Sequence, residues 1–201
     1  MEIVEYRGVE GLMAAEVLTD DNGTDGYTTG TPFQIAGVAE ISKSTDSQQE
    51  PHFYDNIPAV IVGNEASDTV TINTSAIPLD VQAKLTGQTY DSTLGALVEG
   101  KRRTVYHALG YKTKDTSGNV CYVWRYKGMF ALGDQVNSTE NDSTDANGQE
   151  LTYTGIFTTH KFTKTGQEEK ALVVNTGLDL ANVSTFFDTV TTHDTLTAKT
   201  P

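Results

Sequence analysis

The chain has 201 residues and a mass of 21.7 kDa, enough for one good-sized domain. Hydrophobic residues make up 37% and mean hydropathy is -0.36, which fits a soluble fold with a modest core rather than a disordered chain. Asp and Glu number 27 against 14 Lys and Arg, for a net charge of -13. That balance disfavours a surface that grips nucleic acid, which needs clustered cations, but not one past which nucleic acid slides.

A single cysteine, Cys121, excludes an internal disulfide framework. It stands in the apolar run Val120-Cys121-Tyr122-Val123-Trp124 and reads as a small core residue. The N-terminus, Met1-Glu2-Ile3-Val4-Glu5, lacks the basic-then-apolar pattern of a signal peptide, and no apolar run approaches the roughly 20 residues of a membrane span. A protein kept in the cytosol, or released by lysis, is the expectation.

Thr is the commonest residue, turn signals recur, and the segments between them are short, so the fold class is expected to be mainly β. The first predicted strand is Gly11–Val17. The acidic run Asp21-Asn22-Gly23-Thr24-Asp25-Gly26 resembles the opening of a calcium loop, but no Glu stands where the closing ligand belongs, so it reads as a turn. Phe33–Ser44 is the next strand. Alternation puts Glu40, Ser42, Ser44 and Asp46 on one face and Ile41 and Lys43 on the other.

Residues Thr45–Asn56 are polar, acidic and without Lys or Arg. After them come a strand at Val70–Asn73 and a short helix at Leu79–Leu85, with Pro78 before it and Gly87 after it. Arg103–Lys112 and Asn119–Leu132 form the clearest hairpin, with Gly118 supplying the positive φ of the loop. Its second arm sets Tyr122, Trp124 and Tyr126 against Cys121, Val123 and Arg125 on opposite faces. Gly133–Gln149 is a second polar stretch without Lys or Arg. Stretches of this length are arms, binding loops or disordered segments, and the residues alone leave that choice open. Strands at Glu150–Phe162 and Glu169–Asn175 follow, then an amphipathic helix over Leu178–Val190 with Leu178, Val183, Phe186, Phe187 and Val190 near one stripe.

Seven of the 14 cationic residues lie between Lys101 and Lys127, a segregation that can offer a basic face to an acidic face of another copy. His52, His107, His160 and His193 are too far apart for a zinc pattern, and there is no nucleophile elbow, phosphate loop or dinucleotide fingerprint. The chain is therefore expected not to be an enzyme and to use no cofactor or metal.

Four ordered segments carry a family resemblance: Gly30-Thr31-Pro32-Phe33-Gln34-Ile35-Ala36-Gly37-Val38, then Phe53-Tyr54-Asp55-Asn56, then Ile77 through Gly87, and finally Ala108-Leu109-Gly110-Tyr111-Lys112 running through Gly118 to Tyr122–Phe130. In order and spacing the set resembles the major tail proteins that build the tail tubes of long, non-contractile-tailed bacteriophages. The resemblance implies a β-sandwich or small barrel over residues 1–175, with one flanking short α-helix and extended hairpins at about 38–55 and 126–153, followed by a C-terminal helix or arm over 176–201. It implies hexameric rings, stacked into a hollow tube within the virion tail and assembled in the host cytoplasm. The expected partners are the chain itself and tape-measure, tail terminator and baseplate proteins. Genomic DNA passes through without specific binding, and no membrane is involved.

On that resemblance Glu40, Ser42, Ser44, Asp46 and Asp134 are expected to face the channel, where acidic side chains repel phosphates. Lys101, Arg102 and Arg103 of the cationic cluster, and Asp20, Asp21 and Asp25 of the loop Asp20–Gly30, are expected at contacts between subunits. The alternatives are a tube protein of a phage-derived bacteriocin or secretion machine and, in a different class, a β-sandwich binding or adhesion module using Tyr122, Trp124 and Tyr126 as a platform.

Overall fold

The structure is a computed structural model and describes residues 4–54, 57–133 and 148–199. It is mainly β. The strands are β1 (Tyr6–Asp20), β2 (Tyr27–Thr29), β3 (Phe33–Gln34), β4 (Val38–Tyr54), β5 (Ile57–Thr74), β6 (Thr89–Asp91), β7 (Ala96–Val98), β8 (His107–Asp115), β9 (Val120–Leu132), β10 (Gln149–Ile156), β11 (Lys161–Phe162), β12 (Gln167–Glu168) and β13 (Ala171–Asn175). The helix α1 spans Leu79–Thr86. It ends on Gly87 at φ 67, the left-handed cap a helix stop requires, as the sequence predicts.

One sheet runs β2-β1-β8-β9-β10-β5-β4, with every described pairing antiparallel; β3 adds to β1 and β13 to β9. The predicted β8–β9 hairpin is present, turning through Gly118 at φ 89. β9 is the central plank. One edge carries β8, and the other changes partner along its length, from β13 over Cys121–Arg125 to β10 over Lys127–Leu132.

Both faces of the sheet are covered over β9. On one, Leu12, Ile72, Leu109, Val123, Phe130, Leu151 and Tyr153 pack with Val81 and Leu85 of α1. On the other, Trp124, Tyr126, Val174 and Phe162 pack with Phe186 and Val190 of the C-terminal segment. An irregularity opposite His107–Leu109 shifts the phase of β9, which lets Val123 and Phe130, seven residues apart, serve the same core.

Five expectations change. Glu150–Phe162 is not one strand, because β10 ends at Ile156 and only Lys161–Phe162 follows, as β11. Phe33–Ser44 is not one strand, because residues 35–37 interrupt it. Val70–Asn73 is only the end of an 18-residue strand. The stretch read as a hairpin over 38–55 is a single arm, and its return arm is β5. Leu178–Val190 is not an α-helix but a 3-10 turn (Thr176–Leu178) followed by successive turns. Within it the Asn182 side chain bonds the local backbone instead, accepting from Ser184 N, and just beyond each end Asn175 accepts from Gly177 N and Thr195 from Thr192 N. The apolar stripe docks nonetheless through Phe186 and Val190, whereas Leu178 stays exposed.

Candidate functional site

β4, β5, β10 and β9 form a four-stranded unit whose two faces differ completely. Cross-strand rows on the inner face read Ile41–Ile72–Leu151–Leu132 and Lys43–Val70–Tyr153–Phe130. Rows on the outer face read Glu40–Asn73–Glu150, Ser42–Thr71–Thr152–Ala131 and Ser44–Thr69–Thr154–Met129. Glu40, Ser42, Ser44 and Asp46 are all exposed, while Ile41 packs on the core, so the alternation read from the sequence is the one observed. The outer face is paved with short hydroxyl side chains and edged by carboxylates. Asp134 lies outside the described residues.

The unit has two open edges. β4 pairs only with β5, so its other edge carries no strand over 17 residues among the described ones. At the opposite side, β8 pairs with β9 only as far as Gly128, which leaves Met129–Leu132 open. A cavity of ≈ 280 Å³ lies there, lined by Met129 and Ala131 together with Arg102 and Arg103.

Beyond the register pair Thr45↔Asp68, β4 and β5 run on as a two-stranded ribbon to Tyr54↔Ile57. β10 stops at Asp68, so this part is flanked by nothing else in the sheet. Nine residues of extension correspond to about 30 Å. Large apolar side chains stand in solvent on it: Phe53 at 63%, Ile57 at 65% and Ile61 at 68% exposure, with Val60 beside them.

The root of the ribbon is clamped. Asp68, 3% exposed, accepts from Arg125 Nη1 at 2.7 Å and from Thr45 Oγ1 at 3.0 Å, with Lys170 and Lys43 at 3.6 and 3.7 Å. Burial pushes the Asp68 carboxyl up, but the Thr45 hydroxyl and the three cations outweigh it and hold the carboxyl below its ordinary 3.8. Such a carboxylate stabilises the fold fully above 3.8, and that contribution is lost as pH falls below it.

The expected inter-subunit residues divide. Asp20 is committed within the chain, accepting from the Thr159 and His160 amides at 2.8–2.9 Å and from Lys127, with its side chain 6% exposed. Asp21 and Asp25 remain exposed. The seven cations clustered in sequence are dispersed in space: Arg103 pairs with Glu16, Lys112 and Lys114 with Glu10, Arg125 with Asp68, and Lys127 with Asp20. Lys101 and Arg102 stand exposed outside these pairs.

Trp124 and Tyr126 are completely buried, with the Trp124 indole N–H donating to Phe186 O at 2.8 Å and the Tyr126 hydroxyl accepting from His193 N at 3.2 Å. No exposed aromatic platform exists at these positions, which removes the surface on which the adhesion alternative rested. Among the described residues no group of three or more His, Cys, Asp or Glu is placed to hold a metal ion, and no helix is long and apolar enough to cross a membrane.

The fold and these edges define a mainly antiparallel β protein with an extended, acid-bearing ribbon. No family model matches the chain, and no curated protein matches it. Among solved structures, a chain of the anti-feeding prophage (AFP) baseplate, determined by cryo-EM with sixfold symmetrisation, aligns over 81% of this chain and 91% of its own length at 9% identity. The TM-score is 0.29, below the level of a shared fold.

Proposed function

We propose that this chain is a structural subunit that assembles with copies of itself into rings and tubes, as the major tail protein of a long-tailed bacteriophage does, and that it carries no catalytic step. The observation that supports this most is the pair of open edges on one four-stranded unit. An exposed strand edge is a hazard that soluble proteins blunt or cover, and closing a ring removes it. From Ser44 onward the open edge of β4 bears Asp46, and the open end of β9 lies beside Arg102 and Arg103. One copy's β4 edge placed against the next copy's β9 edge repeats around a circle and makes a continuous barrel, a heterologous contact that closes by rotation.

In that arrangement the face of Glu40, Ser42, Ser44, Asp46, Glu150 and the threonines lines the channel. Carboxylates repel phosphates, and short hydroxyl groups offer no cation to hold them, so DNA passes without capture. The same reading serves a phage-derived bacteriocin or secretion machine, and a neighbouring tape-measure gene distinguishes the phage tail. Negative-stain microscopy of the concentrated protein tests the proposal: rings or hollow tubes are expected, and a monodisperse monomer at every concentration and ionic strength overturns it.

A further inference from the structure

The two ends of β4 present complementary surfaces. At its start, a groove of ≈ 490 Å³ lies between β1 and β4, lined by Tyr6, Val9, Ile41, Tyr111, Val123 and Val173. The groove is predominantly apolar, and Tyr6 and Val173 on it are 70% and 59% exposed. Over Tyr6–Glu10, β1 pairs only with β8, and β4 pairs only with β5, so each of the two strands bordering the groove has an unpaired edge among the described residues. Arg7 and Lys43 also line it, with Glu40 as its one acid.

At the other end of β4 is the ribbon tip, with Phe53, Ile57, Val60 and Ile61 exposed and the exposed acids Asp46 and Glu50 behind them. The ribbon sequence from Ser44 to Ala66 contains no Lys or Arg. An apolar tip with acids behind it thus matches an apolar groove flanked by two cations.

Groove and tip sit on one continuous strand, 12 residues apart from Ile41 to Phe53, or about 40 Å. A strand cannot fold its own far end back onto its start, so the match is made between copies. Because the two surfaces differ and point to opposite ends of the subunit, each contact leaves a free tip at one end and a free groove at the other. Such a contact propagates along an axis instead of closing.

We propose that the ribbon tip of one copy docks in the β1–β4 groove of a second copy, and that this is the axial contact by which layers stack. The inference rests on the reading that the chain forms rings and tubes; the groove takes only Ala39–Lys43 of β4, which leaves the β4 edge from Ser44 onward for the contact that closes each ring. The apolar side chains supply the affinity, and Arg7 against Asp46 and Glu50 sets the register.

The test compares wild-type protein with Ile61→Asp at the tip and Val173→Glu at the groove, by sedimentation and negative-stain microscopy, alongside thermal unfolding of each. Both positions are exposed, so unfolding is expected at the wild-type temperature, with the sedimented tube fraction down about tenfold and single rings persisting. Arg7→Glu is expected to weaken stacking without altering any apolar contact, and adding Glu50→Arg to restore it. Wild-type-like tubes from both apolar variants overturn the inference. So does loss of rings together with tubes in a folded variant, which makes the contact lateral. A wild-type protein that forms neither rings nor tubes removes the proposed function itself.

Discussion

The body of the molecule and the β4–β5 ribbon are made from the same strands yet obey opposite rules. In the body, both faces of the sheet are covered over β9, the buried Arg125 and Asp68 form an ion pair, and close packing leaves no room for an added methyl at Gly110 or Gly128. Among the described residues of the ribbon, two strands have only each other, apolar side chains face water, and Asp46 and Glu50 stand without cations. An isolated two-stranded ribbon is marginal in water, so this one owes its persistence to its root. The contrast teaches that stability and exposure can be separated along a single strand, with Asp68 at the border.

Removing that border has the largest expected effect. Asp68→Ala strips the buried Arg125 guanidinium of its 2.7 Å partner, and breaking a buried pair costs about 3–5 kcal/mol. Thermal or denaturant unfolding should show it, with faster amide exchange in both arms of the ribbon.

The next effect is set by pH. His107 is 1% exposed, and burial first, with the nearby Arg103 charge second, lowers its pKa from 6.5 to about 4. The folded state therefore holds a neutral imidazole. Its contribution is intact above pH 6.5 and is lost as pH falls from 6.5 towards 4, amounting to about 3 kcal/mol. A His107→Gln variant should lose this slope in a pH series of unfolding curves, while ribbon variants keep it.

Gly128→Ala comes third. A Cβ there lies 2.4 Å from Thr154 O and from the Tyr153 ring, positions held by the β9–β10 ladder. Overpacking of this kind costs about 1–3 kcal/mol, again read by unfolding. The smallest effect belongs to the ribbon: Phe53→Ser at a 63% exposed position should shift monomer stability by no more than about 0.5 kcal/mol. A large loss there would mean that the tip is supported within its own subunit, and the contrast would fail.

How much of this the sequence revealed follows the same division. The β8–β9 hairpin, α1 and the alternation of Glu40, Ser42 and Ser44 against Ile41 were all legible, because period-two patterning, Pro–Gly punctuation and a Gly at the turn are local signals. The ribbon was not. Pro51, Pro58 and Gly63 are turn formers, the run Thr45–Glu50 before them is polar, and nothing local says that a strand persists through them. The bulges on β1 and β9, which change which face a residue serves, are likewise set by partners far away in sequence. The C-terminal segment showed its stripe but not its conformation, since inside it the Asn182 side chain takes the Ser184 amide and forms a local turn. The bonds of Asp20 within its own chain were hidden for a related reason: its partners Thr159 and His160 are 139 and 140 residues away.

The continuity of β4 has a mechanical side. Its ladder to β5 runs from Val38↔Thr74 to Tyr54↔Ile57, with hydrogen bonds lying across the strand direction. A pull applied between a partner gripping the far end and the body holding the near end would be carried along the covalent backbones of both strands together, with the ladder keeping them in register. The same hairpin tugged sideways at its bend would open one rung at a time. A long strand shared between two neighbours is thus a tether that is stiff along one axis and compliant across it.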